Sequence, residues 1–116
     1  MTQATIFHNP RCSKSRETLA LLEQHKCDIT VVEYLKDVPT AAQLNEILSL
    51  LQMTPRELMR TKEDEYKQLN LANSDLSHDA LVGAMIANPK LIERPIVLAN
   101  AKAAVGRPPE NVLAIL

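Results

Sequence analysis

The sequence predicts an α/β fold in which helices pack on a mixed four-stranded sheet. Short apolar or β-branched runs near both ends of the chain predict strands. Between them, apolar residues recur at helical spacing. The chain has 116 residues, of which 46% are hydrophobic and 23% are charged. That length and composition are typical of one soluble domain.

The first third of the chain predicts a strand, a helix and a second strand. The apolar run 4–7 ends at His8-Asn9-Pro10, where the proline favours a loop. A helix is predicted to begin at Cys12-Ser13. Residues 30–34 are rich in β-branched side chains and predict the second strand. These elements form a βαβ unit, for which parallel strands and a right-handed crossover are expected.

The middle of the chain predicts helices. Leu44, Ile47, Leu48 and Leu51 follow the i, i+3, i+4, i+7 spacing of an amphipathic helix, and Thr40 is its expected N-cap.

Two further helix starts follow. Thr54-Pro55 is typical of an N-cap and first helical residue, with Glu57 completing a capping box. Ser77 is the expected N-cap of a helix that stops before Asn88-Pro89.

The end of the chain returns to strands. Residues 96–99 are an apolar run typical of a buried strand, and Asn100-Ala101 is a plausible tight turn. Residues 103–105 are predicted to pair with the first run. Pro109 then begins a short final helix.

Composition excludes several classes of site. The two glycines, Gly83 and Gly106, are too few for a dinucleotide-binding fingerprint and wrongly spaced for a phosphate loop. Two cysteines and three scattered histidines do not form a closed zinc site, so no metal is expected.

Charge and hydropathy exclude further classes. The net charge of −1 argues against a generally basic, nucleic-acid-binding surface. No apolar run reaches the length of a membrane span, and the first residues do not resemble a signal peptide. A cytoplasmic location is therefore expected, with neither nucleic acid nor membrane as a partner.

Cys12 lies where the first strand passes into the first helix. A helix N-terminus carries partial positive charge and stabilises a thiolate. Arg11, Lys14 and Arg16 add positive charge nearby, and His8 would add more when protonated. These neighbours favour a reactive thiolate over a small buried apolar residue.

The other cysteine and Ser15 limit the redox chemistry. Ser15 occupies the position of the second cysteine in a Cys-x-x-Cys motif, so an external thiol is needed to complete a redox cycle. Its hydroxyl is expected to donate a hydrogen bond to the sulfur of Cys12. Cys27 lies at a helix end without capping context, and we interpret it as a bystander.

Two arginines flank the predicted hairpin. Arg94 precedes its first strand and Arg107 follows its second, so they are expected to approach each other. Guanidinium groups bind tetrahedral oxyanions through paired hydrogen bonds. An anion would offset the repulsion between the two cations.

Four motifs in order carry a family resemblance over essentially the whole chain. His8-Asn9-Pro10-x-Cys12-x-x-Ser15-Arg16 resembles the active-site segment of the glutaredoxin-coupled arsenate reductases, the ArsC family, most closely its YfgD-like members. Glu57-Leu58-Met59-Arg60, Arg94-Pro95-Ile96 and Gly106-Arg107-Pro108-Pro109 are similar to further motifs of that family.

The resemblance implies a fold and six functional residues. The fold is thioredoxin-like, with a core of about residues 1–38 and 91–116, a helical insertion of about 39–90, and a cis-proline at Pro95. The implied catalytic residues are Cys12, His8 and Ser15. The implied substrate-binding residues are Arg60, Arg94 and Arg107.

The resemblance also implies a reaction. The Cys12 thiolate attacks arsenate and displaces water or hydroxide, glutathione attacks the adduct, glutaredoxin reduces the mixed species, and arsenite is released. No metal or tightly bound cofactor is required.

Two alternatives stay open. One is another glutathione-linked thiol oxidoreductase. The other, less favoured because Cys12 lacks a partner at position 15, is a Spx-like regulator that binds RNA polymerase.

Overall fold

The computed structural model describes residues 2–116 and contains four strands and four α-helices within them. The strands are β1 (Gln3–Phe7), β2 (Asp28–Val32), β3 (Ile96–Ala99) and β4 (Lys102–Val105). The helices are α1 (Ser13–Gln24), α2 (Ala41–Leu51), α3 (Asp64–Gln68) and α4 (His78–Ala87). Short 3₁₀ helices cover Arg56–Leu58, Pro89–Leu91 and Pro109–Ile115.

The predicted mixed four-stranded sheet is confirmed. Its order is β2-β1-β3-β4, with β1 parallel to β2 and the other two pairings antiparallel. Phe7 pairs with Ile96, which pairs with Val105. The carboxyl ends of β1 and β4 therefore meet the amino end of β3, and the loops that leave this end of the sheet lie close together.

The predicted tight turn between β3 and β4 is also confirmed. Ala99 pairs with Lys102, so the turn consists of Asn100 and Ala101. Both residues have positive φ, 54° and 59°. Two successive positive φ angles are typical of a type I′ turn, whose twist matches that of the flanking strands.

Contacts divide the chain into two units. The sheet unit contains residues 2–37 and 94–116, and the helical unit contains residues 38–93. The core of the sheet unit lies on one face of the sheet, beneath α1 and the last 3₁₀ helix. Its buried members are Ala4, Ile6, Leu22, Val97, Ala99, Val112 and Ile115. Leu22 packs α1 against the sheet, and the N-terminus of α1 lies at the end of the sheet where β1 terminates.

The helical unit is organised by α2 and α4. Each buries an apolar stripe, formed by Leu44, Ile47 and Leu48 in α2 and by Leu81, Val82 and Met85 in α4. The predicted N-caps are confirmed, since Thr40 Oγ1 accepts the Gln43 N–H and Ser77 Oγ accepts the Ala80 N–H, both at 3.1 Å.

The predicted Thr54–Glu57 box is present, but the element that follows it is short. The Thr54 N–H donates to Glu57 Oε1 at 2.9 Å, and the Glu57 N–H faces Thr54 Oγ1 at 3.3 Å. The helix that follows is a single 3₁₀ turn, after which Met59 leaves for an antiparallel bridge with Ile92. That tertiary pairing ends the helix. In residues 2–116 no helix is long and apolar enough to cross a membrane.

Candidate active site

Cys12 is the N-cap of α1, as predicted, and the residue is 7% exposed. The loop before it is held by Asn9. The Cys12 N–H donates to the Asn9 carbonyl oxygen at 3.0 Å, and Asn9 Oδ1 accepts the Arg11 N–H at 3.0 Å. Asparagine forms such side-chain turns readily. The Asn9-Pro10 dipeptide is the sequence signal for this role, although Asn9 was not among the predicted site residues.

The pKa of the Cys12 thiol is lowered overall. Burial alone raises it, but the N–H groups of Ser15 and Lys14 and the charge of Arg94 outweigh that effect. The Cys12 side chain makes no capping hydrogen bond to α1. The two first-turn N–H groups therefore act mainly as dipoles that favour the thiolate. The helix N-terminus predicted to favour a thiolate is thus present, but the charge that lowers the pKa is that of Arg94 rather than that of Arg11, Lys14 or Arg16.

The hairpin brings Arg94 and Arg107 together with Cys12. Arg107 Nε donates to the Arg94 carbonyl oxygen at 2.8 Å, and Arg107 Nη2 lies 3.5 Å from the Cys12 sulfur. Arg94 also forms a side-chain hydrogen bond that lowers the pKa of Cys12. The predicted approach of the two arginines is confirmed. The bond before Pro95 is cis, as the resemblance implied, and so is the bond before Pro108.

Gly106 lies where the segment after β4 packs against α1. Its N–H donates to the Pro95 carbonyl oxygen at 2.9 Å. A Cβ at this position would lie 2.5 Å from Thr18 Oγ1 and 2.8 Å from Pro95 Cγ. The absence of a side chain therefore lets the segment that carries Arg107 pack against the helix that carries Cys12.

Ser15 is buried, but its hydroxyl does not meet the sulfur. Ser15 Oγ lies 2.6 Å from His8 Nδ1 and accepts the Asn9 N–H at 3.1 Å. The expected hydrogen bond from this hydroxyl to Cys12 is not among those of the described residues, so that expectation is wrong. Ser15 reaches the sulfur through its backbone N–H instead. The hydroxyl joins the end of β1 to the first turn of α1.

His8 is buried and its pKa is lowered. Burial is the main cause, the charge of Arg16 acts in the same direction, and Glu33 opposes both. The fold thus favours the neutral imidazole, and His8 does not add the positive charge that its position in the sequence suggested. Its contribution to the site is the contact with Ser15.

Arg60 belongs to the helical unit. Its N–H donates to the Leu91 carbonyl oxygen at 2.7 Å, next to the bridge between Met59 and Ile92. Its guanidinium pairs with Glu63, and its Nε lies 3.9 Å from Glu93 Oε1. Neither carboxylate was among the predicted site residues.

Cys27 and a cleft at the other end of the sheet lie apart from this arrangement. Cys27 is half-buried and packs against the core of the sheet unit. A cleft of about 840 Å³ lies at the opposite end of the sheet from Cys12, beside Gln3 and Asn100. Within residues 2–116 no three His, Cys, Asp or Glu side chains are grouped so that they could hold a metal ion.

Comparison with known proteins identifies the family of this arrangement. The sequence pattern of the ArsC family matches residues 7–115. The chain belongs to the ArsC family. Its sheet unit has the thioredoxin-like fold of ArsC proteins.

Similar proteins match over nearly their whole length. YfgD of Escherichia coli K12 is 59% identical over 98% of this chain and 97% of that protein. An arsenate reductase of Neisseria meningitidis is 51% identical over 100% of both chains. The structure of an arsenate reductase from Vibrio cholerae superposes with a TM-score of 0.96 at 52% identity, covering 99% of this chain and 98% of that one.

Proposed function

We propose that this protein reduces arsenate to arsenite, with Cys12 as the nucleophile and glutathione and glutaredoxin as reductants. The observation that carries the proposal is the setting of the Cys12 sulfur. It lies at a helix N-terminus, 3.5 Å from Arg107 Nη2, and the pKa of its thiol is lowered. The choice of arsenate as substrate is supported by relatives named arsenate reductase, which are 51% and 52% identical over nearly the whole chain.

The first step is nucleophilic attack on arsenic. The Cys12 thiolate forms a sulfur–arsenic bond while water or hydroxide leaves. Arg94 and Arg107, which meet beside the sulfur, would hold the oxyanion and stabilise the charge that develops on its oxygens. The likeness to ArsC arsenate reductases supports adding Arg60 to this set.

The electrons come from outside the chain. Conversion of As(V) to As(III) takes two electrons, which two external thiols supply as they join in a disulfide. Glutathione attacks the adduct on Cys12, glutaredoxin reduces the mixed species, and arsenite leaves. A cytoplasmic location, whose thiol pool is kept reduced, accords with this requirement.

Cys27 is unsuited to act as an internal reductant. It lies beyond the C-terminal end of α1, whereas Cys12 caps the N-terminal end. A helix of 12 residues is about 18 Å long, far more than a disulfide can span. The serine at position 15 likewise supplies no thiol.

The roles proposed for His8 and Ser15 are to position the thiolate. Their side chains meet at 2.6 Å beneath the loop that carries Cys12, and Ser15 Oγ also accepts the N–H of Asn9. Both residues are buried, so the hydrogen bond between their side chains is shielded from solvent. This arrangement keeps the sulfur over the first turn of the helix.

The test is turnover by purified protein supplied with arsenate, glutathione and glutaredoxin. We expect arsenite to form, and omission of either thiol component to stop the reaction. Cys12→Ser should abolish turnover, whereas the matched variant Cys27→Ser should retain it. Turnover no higher than that of Cys12→Ser would reject the proposal. Mixed-disulfide exchange without arsenate reduction would favour another glutathione-linked oxidoreductase.

A further inference from the structure

Arg60 is held between two carboxylates of its own unit. Glu63 Oε1 pairs with Arg60 Nη1, and Glu93 Oε1 lies 3.9 Å from Arg60 Nε. The three side chains are only 26–29% exposed. Partial burial reduces the screening of these charges by water and salt. The two carboxylates beside Arg60 oppose the approach of an anion to its guanidinium.

The backbone brings the three groups together. Met59 and Ile92 form an antiparallel bridge, and the Arg60 N–H donates to Leu91 on the facing segment at 2.7 Å. Glu93 follows Ile92 directly, so its carboxylate lies beside Arg60 because of this pairing. The contact is thus built into the local fold of the helical unit.

Glu63 reaches Arg60 by a different route. A tight turn, in which the Glu63 N–H donates to the Arg60 carbonyl oxygen at 3.1 Å, leads into α3. Glu63 is the N-cap of α3, yet its side chain makes no capping hydrogen bond. Its carboxylate is turned to Arg60 instead. Three rotatable bonds allow it to exchange that guanidinium for water without unfolding the helix.

We propose that Glu63 competes with the oxyanion substrate for Arg60 and thereby sets the affinity of the site. This inference rests on the proposed function, in which Arg60 binds the oxyanion. A carboxylate and an oxyanion accept the same guanidinium N–H groups. The substrate therefore binds through Arg60 only after Glu63 gives way, and every oxyanion binds more weakly than it would to an uncompensated arginine.

The experiment measures arsenate binding without turnover. In a Cys27→Ser background, protection of Cys12 from the neutral reagent iodoacetamide gives an apparent dissociation constant for arsenate at constant ionic strength. Glu63→Gln should lower this constant about two- to fivefold, the range expected from removing an ion pair of this exposure. Asp64→Asn changes the net charge equally at the next residue and should leave it unchanged. Glu63→Ala, with a melting curve for each variant, is the second test.

The outcomes separate this inference from the proposed function. If Glu63→Gln and Glu63→Ala bind arsenate no more tightly than Asp64→Asn, Glu63 is not a competitor, while the turnover assay still stands on its own. Weaker binding by Glu63→Gln would show that Glu63 supports Arg60, and would also overturn the inference. Arg60→Ala should weaken protection. If it does not, both the competition and the role of Arg60 are rejected.

Discussion

Gly106→Ala is the substitution for which the structure predicts the sharpest structural effect. The added Cβ would lie 2.5 Å from Thr18 Oγ1 and 2.8 Å from Pro95 Cγ, whereas ordinary contacts begin near 3.4 Å. Thr18 cannot easily withdraw, because it is fully buried and its hydroxyl donates to the Lys14 carbonyl oxygen at 2.8 Å. The proline ring is equally rigid. Either the hairpin or α1 must move.

The cost follows from these contacts. Overpacking of this kind costs about 1–3 kcal/mol, and the loss of glycine entropy from the unfolded chain returns about 0.4–1 kcal/mol. We expect a net loss of about 1–2 kcal/mol in the free energy of unfolding. For a chain of 116 residues that corresponds to a fall in Tm of roughly 4–8 °C.

Urea and thermal unfolding followed by circular dichroism measure this loss. Gly83→Ala is the matched control, because Gly83 lies in α4 and a Cβ there meets nothing within 4 Å. That variant should gain about 0.5–1 kcal/mol from helix propensity.

A double-mutant cycle locates the strain. Thr18→Ala removes two of the three atoms nearest the new Cβ at Gly106. The double variant should therefore lose at least about 0.5 kcal/mol less than the sum of the single losses. A Gly106→Ala protein as stable as the wild type, or strictly additive losses, would refute the packing argument.

Two predictions concern titration. In Cys27→Ser protein, the rate of Cys12 alkylation plotted against pH should have a midpoint below that of an ordinary thiol, and a midpoint equal to that of free cysteine would contradict this. Arg107→Ala should lower the rate near neutral pH about fivefold, because a charge at 3.5 Å stabilises the thiolate by about 1 kcal/mol in a water-like dielectric. The pKa of His8 is lower in the folded than in the unfolded chain. The contribution of neutral His8 to the free energy of unfolding is therefore complete above pH 6.5 and declines as the pH falls below that value. Free energies of unfolding at about pH 7 and about pH 5.5 should differ less in His8→Gln than in the wild type, and an equal difference in the two proteins would contradict the argument from burial.

Much of the fold was predictable because its signals are local. Helix spacing, N-caps and turn residues act over three or four positions along the chain. Thr40, Ser77 and the Asn100-Ala101 turn were therefore predicted correctly from neighbouring residues. α3 was not predicted, because its five residues are too short to show a period.

The site was predictable in part for the same reason. The position of Cys12 at the N-terminus of α1 was predictable from a strand that ends before a proline and from the helix start that comes next. The approach of Arg94 and Arg107 was predictable from the hairpin between them. The partner of the Ser15 hydroxyl could not be predicted in this way. The hydroxyl bonds His8 Nδ1 and the Asn9 N–H rather than the Cys12 sulfur, and the sequence does not show which of these contacts is preferred.

The sequence by itself therefore determined the order of elements and the electrostatic setting of one thiol. Tertiary structure alone decided which distant groups complete that setting. Arg107 lies 95 positions from Cys12, and their contact depends on the register of the strands that carry the loops. The pairing of Arg60 with Glu93 depends on a two-residue bridge in the same way. Such contacts arise from packing between segments, which no short-range pattern records.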